Sequence, residues 1–187
     1  VFSLRWINVM AEIILQNIAH SYNPQAADKT YALNPFNMTW VDGARYAILG
    51  PSGCGKSTML NIMSGIVTPS EGKLLFNGSD VTSVSTSERN IAQVFQFPVI
   101  YGTMSVEQNL AFPLVCRKYA RHVIEEKVRE VAGALDLVPL LKRSASKLTA
   151  DQKQLISLGR GLVRDDVSAI LMDEPLTVID PDLKFRL

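Results

Sequence analysis

Eight consecutive residues, Gly50-Pro51-Ser52-Gly53-Cys54-Gly55-Lys56-Ser57, constrain this chain more than any other part of it. They fit the pattern GxxxxGK[ST] in full. Before them, Tyr46-Ala47-Ile48-Leu49 reads as a short buried strand; after them, Lys56 to Ser64 has helical character, and Gly65 stands where a helix would end. A glycine-rich turn between a strand and a helix lets backbone N–H groups curl around phosphate oxygens while the helix presents its positive end to them. In that arrangement Lys56 reaches the β- and γ-phosphates of a nucleotide and the Ser57 hydroxyl is left to ligate Mg²⁺. Cys54 lies inside the curve and reads as a small residue filling a tight turn, and Thr58 follows in the first helical turn.

A second chemical pattern closes the wholly apolar run Ala169-Ile170-Leu171-Met172, which reads as a buried strand, with Asp173-Glu174-Pro175. Two carboxylates at the end of a buried strand describe a site once a phosphate loop is present in the same chain. Asp173 would hold Mg²⁺ through its water shell, and Glu174 would act as general base on an attacking water.

The remaining sequence limits the setting. The 187 residues are 47% hydrophobic and 20% charged, enough to bury a core, and 19 basic against 18 acidic residues leave a formal charge of +1. That balance lacks the overall cationic field of a nucleic-acid binder, and no nucleic-acid partner is expected. No apolar stretch approaches the ~20 residues that span a bilayer, so a membrane would be reached only through a partner. Cys54 and Cys116 make no CxxC pair, which suits a reducing cytosol. Residues 1–10 read as a non-native or disordered extension, with no signal-peptide pattern and Met10 as a candidate start; residues 11–187 read as one domain cut short inside a helix that begins at Asp182. Ala11 to Ile18 suits a strand, Tyr31 to Arg45 a strand pair turning at Asp42-Gly43, and Lys73 to Phe76 a strand leading into the turn Asn77-Gly78. Arg121 to Leu141 carries Val123, Ile124, Val128, Val131, Leu135 and Val138 at helical spacing.

Taken together, Gly50 to Thr58, Val94-Phe95-Gln96, Gly159 to Asp165, Leu171 to Leu176 and Asp180 resemble, in content and order, the ATP-binding cassette ATPases, and the resemblance runs from about Ile13 to the end. Within the family, the Leu171 to Leu176 segment and the spacing look most like the ATPases of bacterial sugar and polyol importers. The resemblance implies a P-loop α/β domain: a mostly parallel core sheet with flanking helices, an N-terminal antiparallel β portion, and a helical subdomain at about residues 97–164. It implies that Gln96 contacts Mg²⁺ and the lytic water and couples to the membrane subunit, that Tyr22 stacks on adenine, and that Asp180 lies across a dimer interface. The implied cofactors are ATP and Mg²⁺, and the implied place is peripheral, on permease subunits at the cytoplasmic face of the inner membrane. A soluble ATPase of the same family and a degenerate nucleotide-binding regulator are the alternatives.

Two departures qualify the resemblance. The family's glycine signature, which caps the γ-phosphate held by the opposite subunit, corresponds here to Leu148-Thr149-Ala150-Asp151-Gln152. Thr149 keeps the hydroxyl and Gln152 is retained, but both glycines are gone, and Asp151 brings a negative charge towards the phosphate. Such a carboxylate would oppose closure by about 4 kcal/mol at about 4 Å and an effective dielectric of about 20. Two such sites in a homodimer are costlier than one, so a heterodimer with a second, related ATPase is favoured over a homodimer. The other arrangement has Asp151 facing solvent and capping the helix that starts near it. The second departure is the family's switch histidine, which matches neither His20 nor His122.

Overall fold

The computed structural model describes residues 11–25, 29–177 and 179. They fall into two compact units: residues up to 91 together with 166–171, and residues 92–165 together with those from 172 onward. The extension at residues 1–10 and Asp180 lie outside the described residues.

In the first unit, β1 (Ile13–His20), β2 (Leu33–Trp40), β3 (Glu71–Phe76) and β4 (Ser79–Asp80) form an antiparallel sheet in the order β2-β1-β3-β4. Ile13 lies opposite both Trp40 and Phe76, and Leu15 opposite both Met38 and Leu74. The inward residues Ile13, Leu15, Leu74 and Phe76 pack with Met59, Leu60, Ile62 and Met63 of helix α1 (Lys56–Ser64). Asn17 adopts a left-handed conformation (φ 48°) and the register shifts beside it, so that Ile18, two places after the exposed Gln16, is the next buried residue. Asn77 and Gly78, both with positive φ, form the two-residue turn between β3 and β4 that an Asn-Gly pair favours. Gly65 ends α1 in a left-handed conformation, as its position predicts. The buried guanidinium of Arg89 donates to the carbonyls of Ile62 and Met63 at that helix end and to those of Thr82 and Val84, and burial pushes its pKa down.

The second unit contains helices α2 (Val106–Cys116), α3 (Arg121–Ala134) and α4 (Ala150–Leu162). Val106, Leu110 and Leu114 form the buried stripe of α2; Val128, Val131, Ala132 and Leu135 recur at the spacing of one helical face; Leu155, Ile156 and Leu158 complete the core from α4. Gly159 lets α4 approach α2 closely, since a Cβ there would come within 2.6 Å of a Leu110 methyl. A capping box, Ser105 with Gln108, starts α2.

Strands β5 (Ile91–Val94) and β6 (Ala169–Met172), through which the division runs, pair with each other. Ser168 N–H donates to Asn90 O at 2.9 Å and Asp173 N–H to Val94 O at 2.9 Å. Because both partners ascend together, these strands run parallel. The mixed α/β character and the antiparallel N-terminal portion match the sequence reading, but three local expectations need correction. Tyr46-Ala47-Ile48-Leu49 is not a strand: no strand among the described residues pairs with it, and Leu49 is 91% exposed. An apolar run becomes a strand only where a neighbour supplies the hydrogen-bond ladder, so the parallel sheet is limited to β5 and β6 among these residues. For the same reason Tyr31 to Arg45 yields one strand, β2, followed by a turn at Asp42-Gly43. The helix expected over Arg121 to Leu141 stops at Ala134, because Asp136 turns left-handed (φ 54°) and Pro139 lies in a separate 3₁₀ turn, Val138–Leu140.

Candidate functional site

The residues singled out by chemistry lie in two groups, one in each unit. In the first unit the loop Gly50–Ser57 leads into α1. Gly55 caps the helix with φ 96°, a conformation disfavoured for L side chains, and a Cβ there would come within 2.6 Å of the Ala32 carbonyl oxygen. Gly53 is also left-handed, and the Cys54 N–H closes back on Pro51 O at 3.3 Å. Pro51, Ser52, Gly53 and Cys54 are exposed. Lys56 folds across the loop, with its ammonium donating to Gly50 O at 2.9 Å and Pro51 O at 3.0 Å, and with the Cys54 sulfur 4.0 Å away.

Three observations fit this loop to a polyphosphate. Among the described residues the Lys56 ammonium is held by neutral carbonyls and a thiol, the first turn of α1 contains no acidic residue to cancel its positive end, and Ser57 is exposed in that turn. Tyr22 belongs to the same group. Its hydroxyl shares a 3.2 Å hydrogen bond with Thr58 Oγ1, its ring is 63% exposed, and His20 packs edge-on against it at 4.6 Å. An exposed aromatic face tethered to the phosphate-loop helix is suited to stacking on a flat base.

In the second unit the chain leaves β5 as Val94-Phe95-Gln96 and leaves β6 as Asp173-Glu174. The Asp173 N–H to Val94 O bond aligns the two exits. Gln96 Nε2 donates to Glu174 Oε2 at 3.3 Å, joining residues 78 positions apart. Thr177 Oγ1 donates to the same carboxylate oxygen, also at 3.3 Å. Glu174 has φ 45°, uncommon for a side chain of its kind, and such outliers cluster at functional sites. Asp173 is half-buried beside it and Glu174 is exposed. The arrangement supplies an aimed carboxylate that can accept a proton, held by an amide and a hydroxyl.

The segment Leu148-Thr149-Ala150-Asp151-Gln152 begins α4. Thr149 is the N-cap, and Gln152 Oε1 accepts from the Thr149 N–H at 3.3 Å in a capping box. Asp151 is therefore not the cap: it occupies the first helical turn and is half-buried, while Thr149 and Ala150 are exposed. His122 is exposed, and His20 is buried beneath Tyr22.

Two residues that the sequence reading did not single out belong to the carboxylate group. Thr177 could have been found from its place three residues after Glu174 in a turn, where a hydroxyl reaches back. Gln154 is fully buried, and the signal for it was a polar residue on the apolar face of α4 beside Leu155.

Comparison with known proteins places these groups in context. The sequence model of the ABC transporter family matches residues 33–177. The chain is 41% identical over 178 residues to the trehalose import ATP-binding protein SugC of Mycobacterium tuberculosis, covering 95% of this chain and 44% of that protein. It is 39% identical to the sn-glycerol-3-phosphate import ATP-binding protein UgpC 1 of Rhizobium etli, covering 95% of this chain and 50% of the relative. The chain thus spans about half the length of the curated relatives it matches. Among solved structures it resembles a nucleotide-free ATP-binding cassette from an ABC transporter, with TM-score 0.74 and 26% identity over 95% of this chain and 74% of that one. It also resembles a cassette solved as a dimer in a post-hydrolysis state with ADP and Pi, with TM-score 0.81 and 25% identity over 93% of this chain and 78% of that one. With its phosphate loop, its paired carboxylates and a family match over more than half of its length, the chain belongs to the ABC transporter family of ATP-binding cassettes.

Proposed function

We propose that this chain is the ATP-binding and ATP-hydrolysing part of a membrane import complex that powers uptake of a carbohydrate or polyol. Residues 11–187 form its ATPase domain and residues 97–164 the helical subdomain. The observation that carries the reading is the Gln96 amide set on the Glu174 carboxylate in a chain that also bears the Lys56 loop. The import role and solute class are supported by relatives that are import ATP-binding proteins for trehalose and for sn-glycerol-3-phosphate.

In this mechanism the β- and γ-phosphates of ATP replace the loop carbonyls as acceptors for Lys56, and the backbone N–H groups of Gly53 to Thr58 take the remaining oxygens. Tyr22 stacks on the adenine. Glu174 accepts a proton from a water as that water's oxygen attacks the γ-phosphorus in line, and the bond to the β-phosphate oxygen breaks to release ADP and phosphate. Gln96 orients that water, and Lys56 absorbs charge developing on the transferred group. Ser57, Gln96 and Asp173 would hold Mg²⁺, which supplies charge neutralisation at the phosphates when bound.

No helix among the described residues is long and apolar enough to cross a membrane. The proposed complex holds the chain on permease subunits, peripheral at the cytoplasmic face of the inner membrane, a place supported by the import ATP-binding relatives. Phe97 and Val99, exposed just after Gln96, offer apolar surface for that contact. In the dimer, Thr149, Ala150, Asp151 and Gln152 face the nucleotide of the opposite subunit. Since Thr149 and not Asp151 caps α4, the Asp151 carboxylate is left in the first turn to repel a γ-phosphate, which supports pairing with a second, related ATPase over self-pairing. Light scattering of the full-length protein with ATP, alone and with that second ATPase, decides this: a tight dimer with full turnover by this protein alone overturns the heterodimer.

Glu174→Gln tests the reading as a whole. Hydrolysis is expected to fall by about 10²–10⁴ with ATP affinity nearly intact, because a base acts on water and adds little in the ground state. Near-parental turnover in a steady-state assay overturns it.

A further inference from the structure

We infer that Gln154 is a positioning residue for the hydrolytic pair, acting through the backbone on both Gln96 and Glu174; the inference rests on the reading of those two residues given above. Gln154 projects from the second turn of α4 and is completely buried. Its Nε2 donates twice, to Phe95 O at 3.0 Å and to Pro175 O at 2.9 Å. Phe95 immediately precedes Gln96, and Pro175 immediately follows Glu174. With the Gln96 Nε2 to Glu174 Oε2 bond, these links close a ring: one amide ties the two strand exits through main-chain carbonyls, and another ties the side chains to each other.

Chemistry limits which side chain can occupy the position. Both partners are carbonyl oxygens, so the site needs two donors on one atom, which an amide nitrogen supplies in a planar fork. The amide oxygen has no hydrogen-bond partner among the described residues although it is buried, a costly state that a residue present only for packing would not require. Farther along α4 the same strip of chain is held again: Ser157 Oγ accepts from the Val99 N–H at 3.4 Å, and Arg160 Nη1 donates to Val99 O at 2.6 Å. Residues 154, 157 and 160 are three apart, so one face of α4 grips the chain on both sides of Gln96. The N-terminus of this helix is the segment Thr149–Gln152. A displacement of that end therefore reaches Gln96 and Glu174 by a rigid route through Gln154.

The test is Gln154→Met, which keeps the length and bulk of the side chain but has no donor, made in the full-length protein with whatever partner it needs for turnover. Expected is a fall in kcat of about 10²-fold, the scale associated with misplacing a reacting group by about 1 Å, with ATP affinity within about twofold of the parent. A residue that acts through Glu174 should also add little once that group is gone. The double variant Gln154→Met, Glu174→Gln should therefore hydrolyse as slowly as Glu174→Gln alone, whereas a merely destabilising change would multiply the two losses. Gln154→Asn, which keeps the amide but withdraws it by one methylene from the two carbonyls, serves should the methionine variant not fold; it is expected to give the same split between kcat and affinity. Parental turnover in the folded Gln154 variants beside an inactive Glu174→Gln overturns this inference and leaves the hydrolytic reading standing. An active Glu174→Gln overturns both.

Discussion

The phosphate loop and the carboxylate group achieve placement by opposite means. Around Gly50–Ser57 the working parts are largely main chain: left-handed glycines, N–H groups at the start of α1, and carbonyls that hold Lys56. Around Glu174 they are side chains: Thr177 from the same turn, Gln96 from a distant part of the sequence and, through the backbone, Gln154. A site made of backbone is set by which residues permit a conformation. A site made of side chains is set by which residues donate and accept. The two should therefore respond differently to the same size of chemical change.

That contrast can be broken by one added methyl group. Gly55→Ala leaves every functional side chain in place, yet it should cost about 1–3 kcal/mol of stability from the positive φ alone, with more from contact with the Ala32 carbonyl. Denaturant unfolding would measure this, and a nucleotide titration should show weakened ATP binding in the same variant. A neutral Gly55→Ala would mean that the loop does not depend on its backbone as described.

A smaller effect sharpens the other side. Thr177→Ala removes one hydroxyl donor from Glu174 and changes no backbone. Losing one bond to a charged acceptor is worth roughly 1.5–3 kcal/mol when well formed, and at 3.3 Å the lower end applies, so single-turnover hydrolysis should slow by about tenfold or less. ATP affinity should remain at the parental value. If affinity falls with rate, the carboxylate group and the phosphate loop do not act separately.

The same contrast explains what could be read from the sequence. Helix α1, its glycine stop, the Asn77-Gly78 turn and the strands β1, β3 and β6 were legible because each is written in adjacent residues. The phosphate loop was legible for the same reason. Tyr46–Leu49 failed because pairing is a property of two segments, and apolar character in one cannot report on the other. The early end of α3 was missed because apolar spacing continues to Val138, while the left-handed Asp136 interrupts the backbone beneath it. Gln96 and Glu174 came from resemblance and from a strand-end pattern, with nothing in the chain between these residues, 78 positions apart, to say that they meet. Gln154 and Thr177 escaped because a single Gln or Thr in a helix or turn is too common to signal anything by type alone.

The hold of the loop carbonyls on Lys56 bears on how the loop chooses its ligands. An ammonium that already has two oxygen partners is not a vacant positive charge waiting for any anion. Binding becomes an exchange in which an incoming oxygen must outcompete two carbonyls set close by at no cost in translational freedom. A singly charged anion gains little in such a contest, whereas adjacent phosphates offer several strong acceptors on one molecule and so win it. Discrimination between polyphosphates and the far more abundant small anions of a cell thus begins before any base or ribose is touched.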